Sequence, residues 1–319
     1  WGETGMRMGI VVDATCDLPQ EFIAEKGIRV LPIHIRLGDE KVMDQRDPDA
    51  TLHFYNEHLA ERGMDAETSP YSADEVREEF LRDIVLDFDC VFVITVTSTR
   101  SPIYENAQKA SFQILNEYKA IREQKQVPGL FTMRVLDSQT LFSGTAVLAA
   151  HAADLIEQNL APNQIRKQLE DLRNHISAYM VPSDLYYIRT RAKKKGDSSV
   201  GLMTYAIGTA LDIKPVLHAY RGETQPVAKI RHYDNAVNQM FEHAARRIQE
   251  GLHCPHVCIS YGGELAKIDQ LPGFSTLLAV ANENKVQVHK AIMSATAAVN
   301  AGGGAVAVAF ASDPQPFKD

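Results

Sequence analysis

Short apolar runs recur through the first half of this chain, and each hands over to a polar stretch that opens a helical pattern. The handovers fall at residues 11–19 (VVDATCDLP), 67–72 (ETSPYS), 93–102 (VITVTSTRSP) and 135–140 (VLDSQT). Strands alternating with helices at this spacing imply a mainly parallel sheet with helices on both faces. In such a sheet ligands bind outside the carboxyl ends of the strands. Hydroxyls and free backbone N–H groups at helix starts make that edge suited to an anion. Four loops rich in Ser, Thr and Asp therefore predict a chain that grips something small and negatively charged.

The segment reading fills in this frame. Residues 9–13 read as a buried parallel strand. Asp17 reads as an N-cap, with Pro19 in the first turn, Gln20 at the capping-box position and Gly27 ending the helix. Residues 28–37 alternate like one second strand, and 53–61 read as a short helix. Ser72 and Glu75 form a capping box that opens a helix to about residue 84. Residues 90–96 are a central strand, Ser101-Pro102 opens a long helix, 133–136 is a strand and 140–158 a helix. Beyond about residue 160 the pattern changes. Helices are expected at 165–175, 184–191, 201–211 and 234–249. Strands are expected at 178–181, 256–260, 285–289 and 305–310, and a hairpin pairs 213–220 with 225–232. The fold class is thus α/β in two domains: residues 8–160 around a parallel sheet, and 161–312 as a mixed α/β unit.

Composition narrows the function. Lys and Arg number 33 against 41 Asp and Glu, a net charge of −8. That balance argues against a nucleic-acid partner, which calls for a basic face, and the local basic run at 189–195 reads as a solvated loop. Four scattered cysteines and the lack of a secretory leader predict a reduced, cytoplasmic setting. No apolar run reaches membrane-spanning length. Glycine-rich phosphate loops and the G-x-G-x-x-G fingerprint are absent, so no nucleotide cofactor is expected. The segment His253-Cys254-Pro255-His256-Val257-Cys258 is too compact for a zinc finger and enters a strand, so no metal site is expected.

Two loops carry the sharper signal. Thr68-Ser69-Pro70 and residues 97–101 (TSTRS) both precede helix starts, so their hydroxyls could converge on one carboxylate or phosphate. Ser101 is explained as a cap before Pro102, whereas Thr97 and Ser98 show no capping duty. Asp13, Thr15 and Asp17 suit either ligand contact or the satisfaction of loop amides. A nucleophilic Ser98 in an acyl or phosphoryl ester hydrolase is one alternative, although G-x-S-x-G is absent. A sensor module for a small carboxylate, reporting through a protein partner, is another.

The chain resembles the DegV family, bacterial fatty-acid-binding proteins that include the lipid-binding subunits of fatty acid kinase. The resemblance runs from about residue 9 to 310. It rests on VVDATCDLP, ETSP, TSTRSPIY, VLDS (135–138), LDIKP (211–215), KIR (229–231) and GGGAVAVAF (302–310) in that order. It implies a two-domain α/β protein without metal or nucleotide, with a fatty-acid carboxylate at the interdomain loops and the tail in the second domain. A separate ATP-dependent kinase would phosphorylate the carboxylate. By motif position Thr68 and Ser98 contact the head group, supported by Thr97, Arg100 and Asn300. The family's loop Ser-Ser-x-x-Ser-Gly-Thr-Tyr is altered here at Pro102 and Ile103, and Asn300 stands at the family's histidine. The family's arginine has no clean counterpart; Arg189, Arg191 or Lys195 is expected to substitute. Burying some fourteen methylenes yields about 11 kcal/mol before ordering costs. Each hydrogen bond to the charged head adds only about 1.5–3 kcal/mol. The tail supplies affinity, and the loops orient the head.

Overall fold

The computed structural model describes residues 5–57, 65–194 and 209–318. The apolar runs form a four-stranded, wholly parallel sheet. Its strands are β1 (Met8–Asp13), β2 (Arg29–Leu31), β6 (Cys90–Thr95) and β7 (Thr132–Asp137), in the order β2-β1-β6-β7. Every residue of β6 is buried, as a parallel strand covered on both faces requires. The capping box of Ser72 and Glu75 is formed in both directions and starts the helix Ala73–Glu79. Ser101 Oγ accepts from the Ile103 N–H at 3.3 Å where the helix Ile103–Gln113 begins.

The second half holds a six-stranded mixed sheet of β8 (Ile176–Val181), β9 (Ile213–Tyr220), β10 (Glu223–Arg231), β11 (His256–Tyr261), β12 (Gln287–Ile292) and β13 (Val306–Ala311). The order is β10-β9-β8-β13-β11-β12, and only β11 and β12 run parallel. The expected hairpin is present, turning at Arg221 and Gly222, both at positive φ. The α/β class with one parallel and one mixed sheet is therefore observed. The helix expected at 201–211 falls almost entirely outside the described residues.

Three expectations need correction. Residues 28–37 are not one strand: Pro32, which has no N–H to give a ladder, separates β2 from β3 (Ile33–Leu37). β3 joins a third, antiparallel sheet with β4 (Glu40–Asp44) and β5 (Ala66–Pro70), in the order β4-β3-β5. The ETSP stretch is thus a strand, with Thr68 opposite Ile35. The second helix starts earlier than expected, at Pro48–Asn56, because Asp47 accepts from the N–H groups of Asp49 and Ala50.

The helix Ser143–Glu157 joins the halves. Eleven of its 15 residues are buried, eight of them glycine, alanine, serine or threonine, so both sheets approach closely. It packs on β1 and β6 on one side and on β8, β11 and β13 on the other. Ile10, Val12 and Phe92 consequently share one hydrophobic core with Ile176, Cys258 and Ala309. No helix among the described residues is long and apolar enough to cross a membrane.

Candidate functional site

A cavity of about 230 Å³ opens where the carboxyl ends of the parallel strands meet the third sheet and the β9–β10 hairpin. Ile33, Val96, Ile103, Leu141, Met180 and Leu217 give it apolar walls. Phe142, at φ +51°, lines it at the head of the helix Ser143–Glu157. A small apolar pocket beyond shares Leu141, Phe142, Met180 and Leu217 with it.

Several polar side chains on the wall are tied together by hydrogen bonds. Arg191, half-buried on the helix Leu185–Lys194, donates from Nε to Asn300 Oδ1 at 2.9 Å. Its terminal nitrogens donate to the Ala66 carbonyl at 3.0 Å and to Thr68 Oγ1 at 3.4 Å. One guanidinium thereby ties together β5, the helix Ala295–Ala301 and its own helix. Burial lowers the Arg191 pKa, and an arginine keeps its charge nonetheless. Asn300 is itself oriented by donating to the Thr296 carbonyl at 2.7 Å.

A buried polar chain positions that last helix. Asp44 Oδ2 accepts from the Thr296 N–H at 2.9 Å and hydroxyl at 2.8 Å. Arg46, at φ +62°, donates to Asp17 Oδ1 at 2.6 Å and to the Ile292 carbonyl at 2.9 Å. Asp17 also accepts from the Ser294 N–H at 3.3 Å. Asp17 is therefore not the N-cap that its position suggests: the helix Gln20–Lys26 has no side-chain cap. Burial raises the Asp17 pKa to about 6, outweighing the attraction of Arg46. Asp13 is buried as well and pushed upward by burial. It accepts from the Thr15 N–H at 2.9 Å, the Thr15 hydroxyl and the Val96 N–H at 2.6 Å, binding the first loop to the third.

Of the residues singled out in the sequence, Thr68, Arg100 and Asn300 line the cavity, as do Asp13, Thr15 and Ser101. Thr97, Ser98 and Arg189 are not on its wall. Thr97 is buried in the turn: its N–H donates to the Thr140 carbonyl at 2.8 Å, and its hydroxyl pairs with Thr99 at 3.0 Å. The exposed Ser98 faces Asp137, with Oγ 2.5 Å from Oδ2. Thr99 donates to the Gly222 carbonyl at 2.6 Å, docking this loop on the hairpin. Thr97 and Ser98 thus do structural work that sequence spacing could not reveal. Arg189 and Arg191 stand two residues apart, about 200° around a helix, so only one of them can face the cavity. Lys195 lies outside the described residues. Leu217 and Thr224 on the hairpin, and Thr296, went unnoticed in the sequence, although the hairpin's alternation marks Leu217 as inward-facing.

The compact His–Cys segment divides as a strand dictates. Cys254, His256 and Cys258 are buried. His256 bridges Asp154, at 2.6 Å, and His289, at 2.9 Å. His253 turns outward.

The sequence model of the DegV family matches residues 7–313. A DegV domain-containing protein of Xanthomonas campestris is 48% identical over 312 residues, covering 98% of this chain and 99% of that protein. A stearic-acid-binding protein from Eubacterium ventriosum superposes with a TM-score of 0.75 at 19% identity, over 96% of this chain and 98% of that one. The fatty acid kinase B3 protein of Streptococcus pneumoniae, solved with linoleic acid, gives 0.69 at 16% identity, over 97% and 100%. At those identities the two structures speak for the fold, whereas the family match spans nearly the whole sequence: the chain belongs to the DegV family.

Proposed function

We propose that the protein is a non-catalytic carrier for a long-chain fatty acid. The carboxylate sits at Arg191, Thr68 and Asn300, and the tail runs along the apolar wall toward Met180 and Leu217. The observation that carries this reading is a half-buried guanidinium, pre-aligned by Thr68 and Asn300, on the wall of an otherwise largely apolar cavity. A planar guanidinium suits a carboxylate because two parallel N–H donors can meet its two oxygens. The hydroxyl and the amide hold the fork in place, and Arg100 and Ser101 add polar contacts from the facing loop. The fatty-acid ligands of the two related structures agree with this class of occupant. Presentation of the bound acid to an ATP-dependent fatty acid kinase, in a cytoplasmic setting, completes the proposal. The kinase rests on the Streptococcus relative alone. The ester-hydrolase alternative draws no support from Ser98, whose hydroxyl lies off the cavity wall against a carboxylate.

Native mass spectrometry of the purified protein, followed by extraction of the released small molecules, tests the carrier reading. A fatty acid released in near-equimolar amount is the expected result. A ligand-free protein that takes up no added oleate would overturn it. The head-group assignment is checked on delipidated protein. Thr68→Ala is expected to weaken oleate binding about tenfold, the loss of one charge-assisted hydrogen bond. Ser98→Ala is expected to stay within about threefold of wild type, because its hydroxyl serves the loop.

A further inference from the structure

We propose that His175, His253 and Asp313 form a binding site for one divalent transition-metal ion of the zinc class. The three residues come from distant parts of the chain. His175 immediately precedes β8, His253 lies just before β11, and Asp313 follows β13. β13 lies between β8 and β11 and runs antiparallel to both, so the three positions fall at the same end of three adjacent strands. Backbone hydrogen bonds extend the sheet through them. Ser312 N–H donates to the His175 carbonyl at 2.9 Å, and His253 N–H to the Ala311 carbonyl at 2.8 Å. The sheet therefore holds the ligand-bearing backbones in fixed register.

The donor atoms already converge. His253 Nε2 lies 2.8 Å and His175 Nδ1 3.9 Å from the same oxygen, Asp313 Oδ1. One ligand atom from each residue falls within 4.8 Å of the others. Around a tetrahedral zinc with ligands at about 2.0–2.1 Å, neighbouring donors stand about 3.3 Å apart. Small side-chain rotations bridge that difference. A surface ion pair would account for His253 and Asp313 alone. It does not account for His175 Nδ1, which is buried without a hydrogen-bond partner. A shared ion would satisfy that nitrogen. Asp171 and the guanidinium of Arg221 also lie near His175, and Arg221 is engaged by the Asn174 carbonyl at 3.1 Å. Two imidazoles with one carboxylate suit zinc, nickel or copper. Magnesium and calcium take oxygen donors. The site lies at the far end of β8 from Met180 on the cavity wall, so it is separate from the fatty-acid reading. It would fasten the C-terminal segment that carries Phe317 against Tyr179 and His243.

The test is calorimetric titration of the tag-free, chelator-dialysed full chain with zinc chloride. One zinc per chain, a higher Tm in zinc and no heat with magnesium are expected. His253→Ala and Asp313→Asn change exposed side chains and are expected to keep the zinc-free Tm. Each should weaken zinc binding by at least about tenfold, since losing a ligand costs no less than losing one of its outer partners. His53→Ala, at an exposed histidine elsewhere, should leave the isotherm unchanged. The proposal fails if wild type shows no saturable zinc binding, or if stoichiometry and affinity survive in both ligand variants.

Discussion

Arg191→Ala is expected to weaken oleate binding by about 10- to 150-fold while leaving methyl oleate within about threefold of wild type. The range corresponds to about 1.5–3 kcal/mol for the charged hydrogen bonds lost to the carboxylate. The ester has no charge for the guanidinium to meet, so the same substitution should scarcely affect it. Arg191 also aligns Thr68 and Asn300, so the loss is expected to exceed that of Thr68→Ala. Arg191→Lys keeps the charge but not the planar fork and should fall between alanine and wild type. Calorimetry on delipidated protein reads all three. Equal losses for acid and ester would place the effect in the apolar wall and remove the head group from Arg191.

The second large effect is on stability. Asp17→Ala leaves Arg46 buried without its counter-charge and removes the acceptor for the Ser294 N–H. Breaking a buried pair from one side costs about 3–5 kcal/mol, and a fall in Tm of about 5–15 °C is expected for a chain of this size. The deficit should depend on pH in a set direction. The folded-state pKa of Asp17 is about 6, above its ordinary 3.8. Between these values the folded protein binds the proton more tightly than the unfolded chain. The Asp17 contribution is therefore full below about pH 4 and is lost as pH rises through 6. The stability gap between wild type and Asp17→Ala should be wider at pH 5 than at pH 8 by roughly 1 kcal/mol. Denaturant melts at the two pH values measure it. A gap that narrows toward acid would mean that Arg46, rather than burial, sets the state of Asp17.

The sequence disclosed those parts of the fold whose causes are local. Unbroken apolar runs marked β1 and β6, because parallel strands inside a sheet are buried on both faces. The Ser72–Glu75 box and the Arg221-Gly222 turn placed their own elements. The third sheet was hidden because β5 is built from Glu67, Thr68 and Ser69, which read as a loop until β3 is paired beside them. Asp17 looked like a cap because its partner, Arg46, lies 29 residues away, and only the third sheet brings the two together. The candidate site divided in the same way. Thr68, Arg100 and Asn300 were found from motif position and do line the cavity. Arg191 could not be preferred over Arg189 without knowing which face of its helix turns inward. Ser98 stood out for lacking a local duty, but its duty is to Asp137, 39 residues on.

The helix Ser143–Glu157 bears on how a ligand gets in and out. A protein built as two lobes around a hinge exchanges its cargo by swinging the lobes apart. Here such a swing would strip one sheet from a helix that is buried on nearly every side and lay its alanine surface open to water. On the carrier reading, exchange would instead proceed by local breathing where the hairpin tip meets the 97–101 loop through the bond from Thr99 to Gly222. The residence time of a cargo would then answer to that bond and to the one from the Gly222 N–H to the Gln139 carbonyl, and could be tuned there without loosening the rest of the molecule.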